Sequence, residues 1–187
     1  MTENKTMNSL KEIGYKKLFI CFVLYSIFGW LYEVFLEVVI YRWGFTNRGV
    51  LFGPYCPIYG VGATVFIFAF YKFKKESQKN PIFKMIIIFV GCMLIATLLE
   101  LTTSYILEFT MGSWPWQTYT DYAINFQGRI ALSPSVRFGI GGILFLYIFQ
   151  PFFDKILSKP QNKSINVICI IILFVLAVDV VYTMFIK

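Results

Sequence analysis

Five long apolar runs, separated by short polar segments, constrain the fold of this chain more than any other feature of its sequence. They lie at residues 18–41, 54–71, 85–109, 133–153 and 164–186. Each approaches the roughly 20 residues that a helix needs to cross a bilayer. Of the 187 residues, 58% are hydrophobic and 14% are charged, against about 25% charged in a soluble domain. The pattern predicts an all-α membrane protein, a polytopic bundle of about five transmembrane helices forming a single domain, 18–187.

Lysine clusters predict the orientation of this bundle. One cluster precedes the first run, one lies in the loop after the second run and one lies in the loop after the fourth. Their members are Lys11, Lys16, Lys17, Lys72, Lys74, Lys75, Lys79, Lys84, Lys155, Lys159 and Lys163. Because cytoplasmic loops are enriched in lysine, we predict a cytoplasmic N-terminal segment, 1–17, and all three clusters on the inner side. The first run is too long for a signal-peptide core, so we expect it to be retained as an anchor. Since the net charge of +7 resides in these clusters rather than on one basic face, we expect no nucleic-acid partner.

Cofactor and metal chemistry receive little support from the sequence. The chain has no histidine, and its four cysteines are far apart: Cys21, Cys56, Cys92 and Cys169. Zinc sites and haem attachment need closely spaced Cys or His ligands. We therefore predict no metal and no cofactor, and buried structural thiols.

The stretch from Trp114 to Arg137, WPWQTYTDYAINFQGRIALSPSVR, is the longest polar interval between apolar runs. Its aromatic content is too high for a disordered linker. Its density of hydrogen-bonding groups is too high for a segment that faces lipid. We predict an ordered and partly re-entrant extracytoplasmic cap over residues 110–132.

Acidic residues inside three of the apolar runs predict a polar cavity. Helix geometry puts Glu33, Glu100 and Asp179 about 10–13 Å below the outer ends of their helices. A charge facing lipid costs roughly 2.5–3.5 kcal/mol on insertion scales, so we expect these groups to share an outward-facing cavity. The predicted counter-charges are Arg48, Arg129 and Arg137. The alternative is an ion-pair network that only locks helices together.

Further candidates lie near these groups in the sequence. The third run carries a polar stripe at helical spacing, formed by Thr97, Glu100, Ser104 and Glu108. Irregular backbone at the start of the second run offers Tyr55 and Tyr59 as lining side chains, and the cap offers Trp116. The complete predicted ligand-binding set is Glu33, Arg48, Tyr55, Tyr59, Glu100, Asp121, Asn125, Gln127, Arg129 and Arg137.

Three stretches, GWLYEV, NRGVLFGPYCPIYGVGA and DYAINFQGRIAL, resemble the type-IV ABC-transporter permease family of CmpB-like small bacterial membrane proteins. The resemblance extends from Gly29 to about Gly142. It implies a multi-pass permease-like protein of a bacterial plasma membrane. The matching positions are Trp30, Glu33, Asn47, Arg48, Gly49, Gly53, Pro57, Tyr59, Gly60, Glu100, Asn125, Gln127, Gly128 and Arg129.

Two functional hypotheses of different classes follow, and a third remains. The first is a transport component that contacts membrane lipids and binds a small polar or zwitterionic solute in the outward-facing cavity. Since the sequence contains no GxxxxGK[ST] loop, ATP hydrolysis would come from a separate ATPase subunit. The second is an intramembrane enzyme acting on a lipid headgroup, with a carboxylate as general base and arginines holding the phosphate. The third is an accessory membrane subunit that binds no ligand.

Overall fold

The computed structural model is predominantly helical and describes residues 14–47, 49, 51–114, 116–159 and 161–186. Its α-helices are α1 (Tyr15–Phe35), α2 (Pro57–Phe66), α3 (Lys72–Glu76), α4 (Pro81–Met111), α5 (Leu132–Leu144), α6 (Gln150–Ser158) and α7 (Asn162–Ile186). Three π-helical segments extend or join them, at Leu36–Ile40, Ile67–Tyr71 and Phe145–Phe149. The predicted helical fold class is thus confirmed.

Within the described residues, four helices are long and apolar enough to cross a membrane: Tyr15–Ile40, Pro81–Met111, Leu132–Ser158 and Lys163–Phe185. They coincide, within a few residues at most ends, with four of the predicted spans. The remaining predicted span, 54–71, begins as a helix at Pro57 and continues without a break to Glu76. It is less apolar than the other four because three lysines occupy its last turns. The count of five spans therefore stays a prediction.

Local sequence explains where the longest helix, α4, begins and ends. The Asn80 side chain accepts a hydrogen bond from the backbone N–H of Ile82 at 2.8 Å, and Pro81 occupies the first helical position. Both residues favour a helix start. At the other end, Gly112 adopts a left-handed conformation with φ 78°, which stops the helix after Met111.

The chain divides into two compact units, and the first contains residues 1–68 and 152–187. Here α1 packs closely on α2 at two glycines. A Cβ atom on Gly29 would collide with the ring of Tyr59, and one on Gly60 would collide with the Ser26 hydroxyl. The α7 helix joins this unit through Asn166, whose side-chain oxygen accepts a hydrogen bond from the Lys16 ammonium at 2.5 Å.

The second unit contains residues 69–151 and is built on the packing of α4 against α5. A Cβ atom on Gly139 of α5 would lie 2.7 Å from the ring of Phe89, so the helices approach closely there. The Thr97 hydroxyl donates a hydrogen bond to the Ser135 hydroxyl at 2.7 Å and adds a polar contact between the same helices.

The segment predicted as a cap also belongs to the second unit. It contains a 3₁₀ helix, Gln117–Asp121, and a hairpin of two short antiparallel strands, β1 (Asn125–Phe126) and β2 (Ile130–Ala131). The N–H of Arg129 donates to the Phe126 carbonyl at 3.0 Å across a turn whose central residues both have positive φ, 54° at Gln127 and 63° at Gly128. Positive φ at both positions is the requirement of a type I′ turn. Whether the segment is re-entrant stays a prediction.

Candidate functional site

Each of the three acids predicted to lie in the outer leaflet accepts a hydrogen bond from a tyrosine hydroxyl. Glu33 accepts from Tyr59, Asp179 accepts from Tyr55, and Glu100 accepts from Tyr119 at 2.8 Å. Hydrogen bonding offsets part of the cost of burying a carboxyl group. Tyr55 and Tyr59 were predicted as lining residues, whereas no pattern in the sequence pointed to Tyr119.

Asp179 of α7 binds the loop that precedes α2. One carboxylate oxygen accepts the N–H of Phe52 at 3.1 Å, and the other accepts the N–H of Gly53 at 3.0 Å. The Tyr55 hydroxyl donates to the second oxygen, and the Asp179 side chain is 8% exposed. This carboxylate is therefore surrounded by donors from its own unit and serves to hold the loop.

The loop between α1 and α2 is organised by two further polar side chains. The Asn47 side-chain oxygen accepts from the Trp30 indole at 2.8 Å and from the Gly49 N–H at 3.1 Å. Glu37, which sequence reasoning did not select, is buried and accepts from the Thr46 hydroxyl at 2.5 Å. Arg48, predicted as a ligand-binding residue, lies outside the described residues.

The most concentrated polar chemistry of the second unit surrounds Arg129, just after the hairpin turn. Its guanidinium carbon lies 4.1 Å from the ring centroid of Tyr105 and 4.0 Å from that of Trp114. The same guanidinium forms an ion pair with Glu108 and lies 3.4 Å from the Ser104 hydroxyl. We call Ser104, Tyr105, Glu108 and Trp114 the Arg129 cage.

Three of the four cage residues, Ser104, Tyr105 and Glu108, belong to α4. Their spacing along the chain places them on one face of this helix. Trp114 lies three residues after Met111, the last residue of α4, and its indole donates to the carbonyl of Gly128 at 3.3 Å. The Trp116 indole donates to the carbonyl of Arg129 itself at 2.9 Å. These contacts fix the hairpin turn against the end of α4. The polar stripe on the third run indicated Ser104 and Glu108, whereas the two aromatic residues were missed.

The accessibility of the ion pair differs between its two partners. The Arg129 side chain is 8% exposed and the Glu108 side chain 44% exposed. The Nε atom of Arg129 is buried and has no hydrogen-bond acceptor among the residues that the structure describes. The ion pair therefore joins a nearly buried guanidinium to a carboxylate that is partly exposed.

The other predicted residues of the second unit have distinct environments. The Gln127 side-chain oxygen accepts from the Tyr105 hydroxyl at 2.8 Å, which connects it to the cage. Asn125 shapes the turn, since its side-chain oxygen accepts from the Gly128 N–H at 3.0 Å. Asp121 and Arg137 are exposed. Ligand-binding roles for all of them stay predictions, as does a shared cavity.

Metal-ligating side chains do not cluster in the part of the chain that the structure describes: no three His, Cys, Asp or Glu residues there form a group that would hold an ion. The four cysteines are buried as free thiols.

Comparison with known proteins gives one informative match. No curated protein and no solved structure matches the chain. A family model described as "Putative ABC-transporter type IV" matches residues 20–184, which is most of the sequence. The resemblance seen in the three sequence stretches is thereby confirmed, and the chain belongs to this ABC-transporter-related family of membrane proteins.

Proposed function

We propose that the protein is the membrane subunit of an ABC transport system and takes up a small polar or zwitterionic solute from the outer side. Family membership supports a transport role. The sequence contains no phosphate-binding GxxxxGK[ST] loop, so the proposal assigns ATP hydrolysis to a separate subunit.

One observation carries the solute-binding part of this proposal: a nearly buried arginine faces a half-exposed glutamate within one unit. Removing an ion pair from water is costly, and well-packed apolar side chains often replace such a pair without loss of stability. A purely structural contact would therefore not require these residues. Arginine is also suited to bidentate binding of a carboxylate or phosphate group. In our proposal Arg129 binds the acidic group of the solute.

The proposal includes five membrane crossings, with the N-terminal segment inside. The three consecutive helical parts from Pro57 to Glu76 have 10, 5 and 5 residues. At 1.5 Å per residue they make about 30 Å of helix, enough to cross a bilayer. If this helix did not cross, the lysine clusters at 72–84 and 155–163 would lie on the opposite side from Lys16 and Lys17. That arrangement contradicts the usual distribution of lysines.

Uptake measurements test the proposal directly. We would compare cells that lack the gene with the same cells expressing it, using radiolabelled glycine betaine and a labelled amino-acid mixture as solutes. We expect gene-dependent uptake that falls at least tenfold with Arg129→Ala. The matched control is Arg42→Lys, a substitution at an exposed arginine outside the cage. Uptake of all these solutes that is independent of the gene would overturn the proposal, and so would full uptake by Arg129→Ala at equal protein level.

A further inference from the structure

The Arg129 cage has the composition of a cation-binding site. Two aromatic rings lie 4.0 and 4.1 Å from the guanidinium carbon, and the Glu108 carboxylate supplies the counter-charge. Proteins that recognise quaternary ammonium or guanidinium ligands use aromatic faces in this way, because the ring quadrupole attracts a cation. In this protein the cation in the cage is a side chain of the same polypeptide.

Arg129 does not use all of its hydrogen-bond donors in the cage. Its buried Nε–H finds no acceptor among the described residues, and its contact with the Ser104 hydroxyl is long at 3.4 Å. A buried donor without an acceptor costs free energy, which is regained when the group reaches water or a solute oxygen. Release of Arg129 from the cage costs free energy, and part of that cost is offset when the Nε–H gains an acceptor.

Release of Arg129 requires the hairpin turn to shift while β2, which leads directly into α5, stays in place. The hairpin has strands of two residues each, and Asn125, Phe126 and Gln127 are exposed. A two-stranded hairpin of this size has little stability of its own. The indoles of Trp114 and Trp116 hold it to the segment that follows α4, through hydrogen bonds to the carbonyls of Gly128 and Arg129.

Charge balance determines which solute can open the cage. A simple cation that displaces Arg129 pairs with Glu108 but leaves the guanidinium without its carboxylate. A simple anion that captures Arg129 leaves Glu108 without its cation. A solute with both charges replaces both halves of the ion pair, so that neither charge is left uncompensated in a partly buried site.

We propose that Arg129 occupies the cage as an internal ligand and that a small zwitterion displaces it. The quaternary ammonium or guanidinium group of the solute takes the place between Tyr105 and Trp114, against Glu108. The released Arg129 then binds the carboxylate of the same solute. This inference rests on the proposed transport function and adds the chemical class of the solute and the conformational change that it causes.

Binding to the full chain in lipid nanodiscs tests the exchange. We would titrate glycine betaine, creatine, tetramethylammonium chloride and sodium acetate by calorimetry. We expect at least one of the two zwitterions to bind at least tenfold more tightly than tetramethylammonium or acetate. Glu108→Gln and Trp114→Leu should each weaken that binding at least tenfold. The matched controls are Glu76→Gln, at an acid outside the cage, and Phe126→Leu, at an exposed ring on the same hairpin. Each control should change the affinity for the zwitterion less than twofold.

A second measurement does not depend on hairpin movement. The Arg129→Ala variant leaves the cage without its occupant, so methylguanidinium at millimolar concentration should bind there and raise the melting temperature. The double variant Arg129→Ala/Trp114→Leu should lose this response. Equal affinities for zwitterions and simple ions would overturn the exchange, as would the absence of both zwitterion binding to the wild type and methylguanidinium binding to Arg129→Ala.

Failure of the exchange and failure of the transport role give different results. Zwitterion binding that depends on the cage, without gene-dependent uptake in cells, rejects the transport role and retains the exchange. Gene-dependent uptake that Glu108→Gln and Trp114→Leu leave intact rejects the exchange and retains the transport role.

Discussion

Replacing Tyr55 by phenylalanine isolates one contact of the carboxylate that joins α7 to the loop before α2. The substitution removes the hydroxyl that donates to Asp179 and keeps the ring. The Asp179 carboxylate retains the N–H groups of Phe52 and Gly53 as donors, at 3.1 and 3.0 Å. The change therefore removes one hydrogen bond to a charged group without exposing the others.

The expected loss follows from the chemistry of that bond. A hydrogen bond to a charged group contributes about 1.5–3 kcal/mol to stability. For a chain of this length, about 1 kcal/mol corresponds to roughly 2–4 °C in melting temperature. We therefore expect Tyr55→Phe to lower the Tm by about 3–12 °C. Asp179→Asn should lower it at least as much, because the amide nitrogen then faces groups that are themselves donors.

The assay is thermal unfolding of the purified protein in nanodiscs, followed by intrinsic fluorescence at a fixed scan rate. A fixed rate matters because a melting temperature depends on scan rate where unfolding is irreversible. The matched control is Tyr182→Phe, since the Tyr182 ring packs on Phe52 with centroids 4.8 Å apart. Its hydroxyl forms no hydrogen bond within the described part of the chain. Equal melting temperatures for Tyr55→Phe and Tyr182→Phe would refute the role assigned to Asp179.

Three further predictions concern backbone, packing and topology. Arg42 is exposed with φ 57°, so Arg42→Asn should stabilise the protein by up to about 1 kcal/mol in chemical unfolding, and a lower stability would contradict this. Gly29→Ala forces a methyl group against the ring of Tyr59 and should cost about 1–3 kcal/mol in the same assay, whereas an unchanged stability would show that the helices separate freely. A membrane-impermeant maleimide should label Ala123→Cys but not Ser77→Cys in intact cells, because the native cysteines are buried and the proposed five crossings put the two positions on opposite sides. Labelling of Ser77→Cys there would reject the five crossings.

The helices could be predicted from the sequence because the signal for a membrane span is local. A run of about 20 apolar residues determines a span without reference to the rest of the chain. The helix limits at Asn80 and Gly112 likewise depend on neighbouring residues. The segment from Pro57 to Glu76 forms a helix where the 54–71 run predicted one, but its lysines reduce its apolar character, so its membrane crossing stays a prediction.

The partners of the polar residues could not be predicted, because they depend on contacts between distant segments. Asp179 binds Tyr55, which is 124 positions away, and Glu100 binds Tyr119, which follows 19 positions later in the 3₁₀ helix. Sequence reasoning identified the acids because charge inside an apolar run is conspicuous. It expected arginines as counter-charges, which stays a prediction, and the structure adds tyrosine hydroxyls as donors to all three acids. Tyrosine gave no comparable signal, since aromatic residues are common throughout membrane proteins.

The proposed solute exchange is assigned to Glu108 rather than to Asp179 because the two carboxylates have different partners. The Asp179 carboxylate is bound by backbone N–H groups of its own loop, so a solute would have to displace fixed donors. Glu108 instead binds a side chain on a small hairpin and remains 44% exposed. Exchange of charged partners is less costly where water reaches one of them, because the desolvation penalty is smaller there. In the proposed exchange, the ion pair near the end of α4 therefore combines a partly exposed carboxylate with a charged partner that the solute replaces.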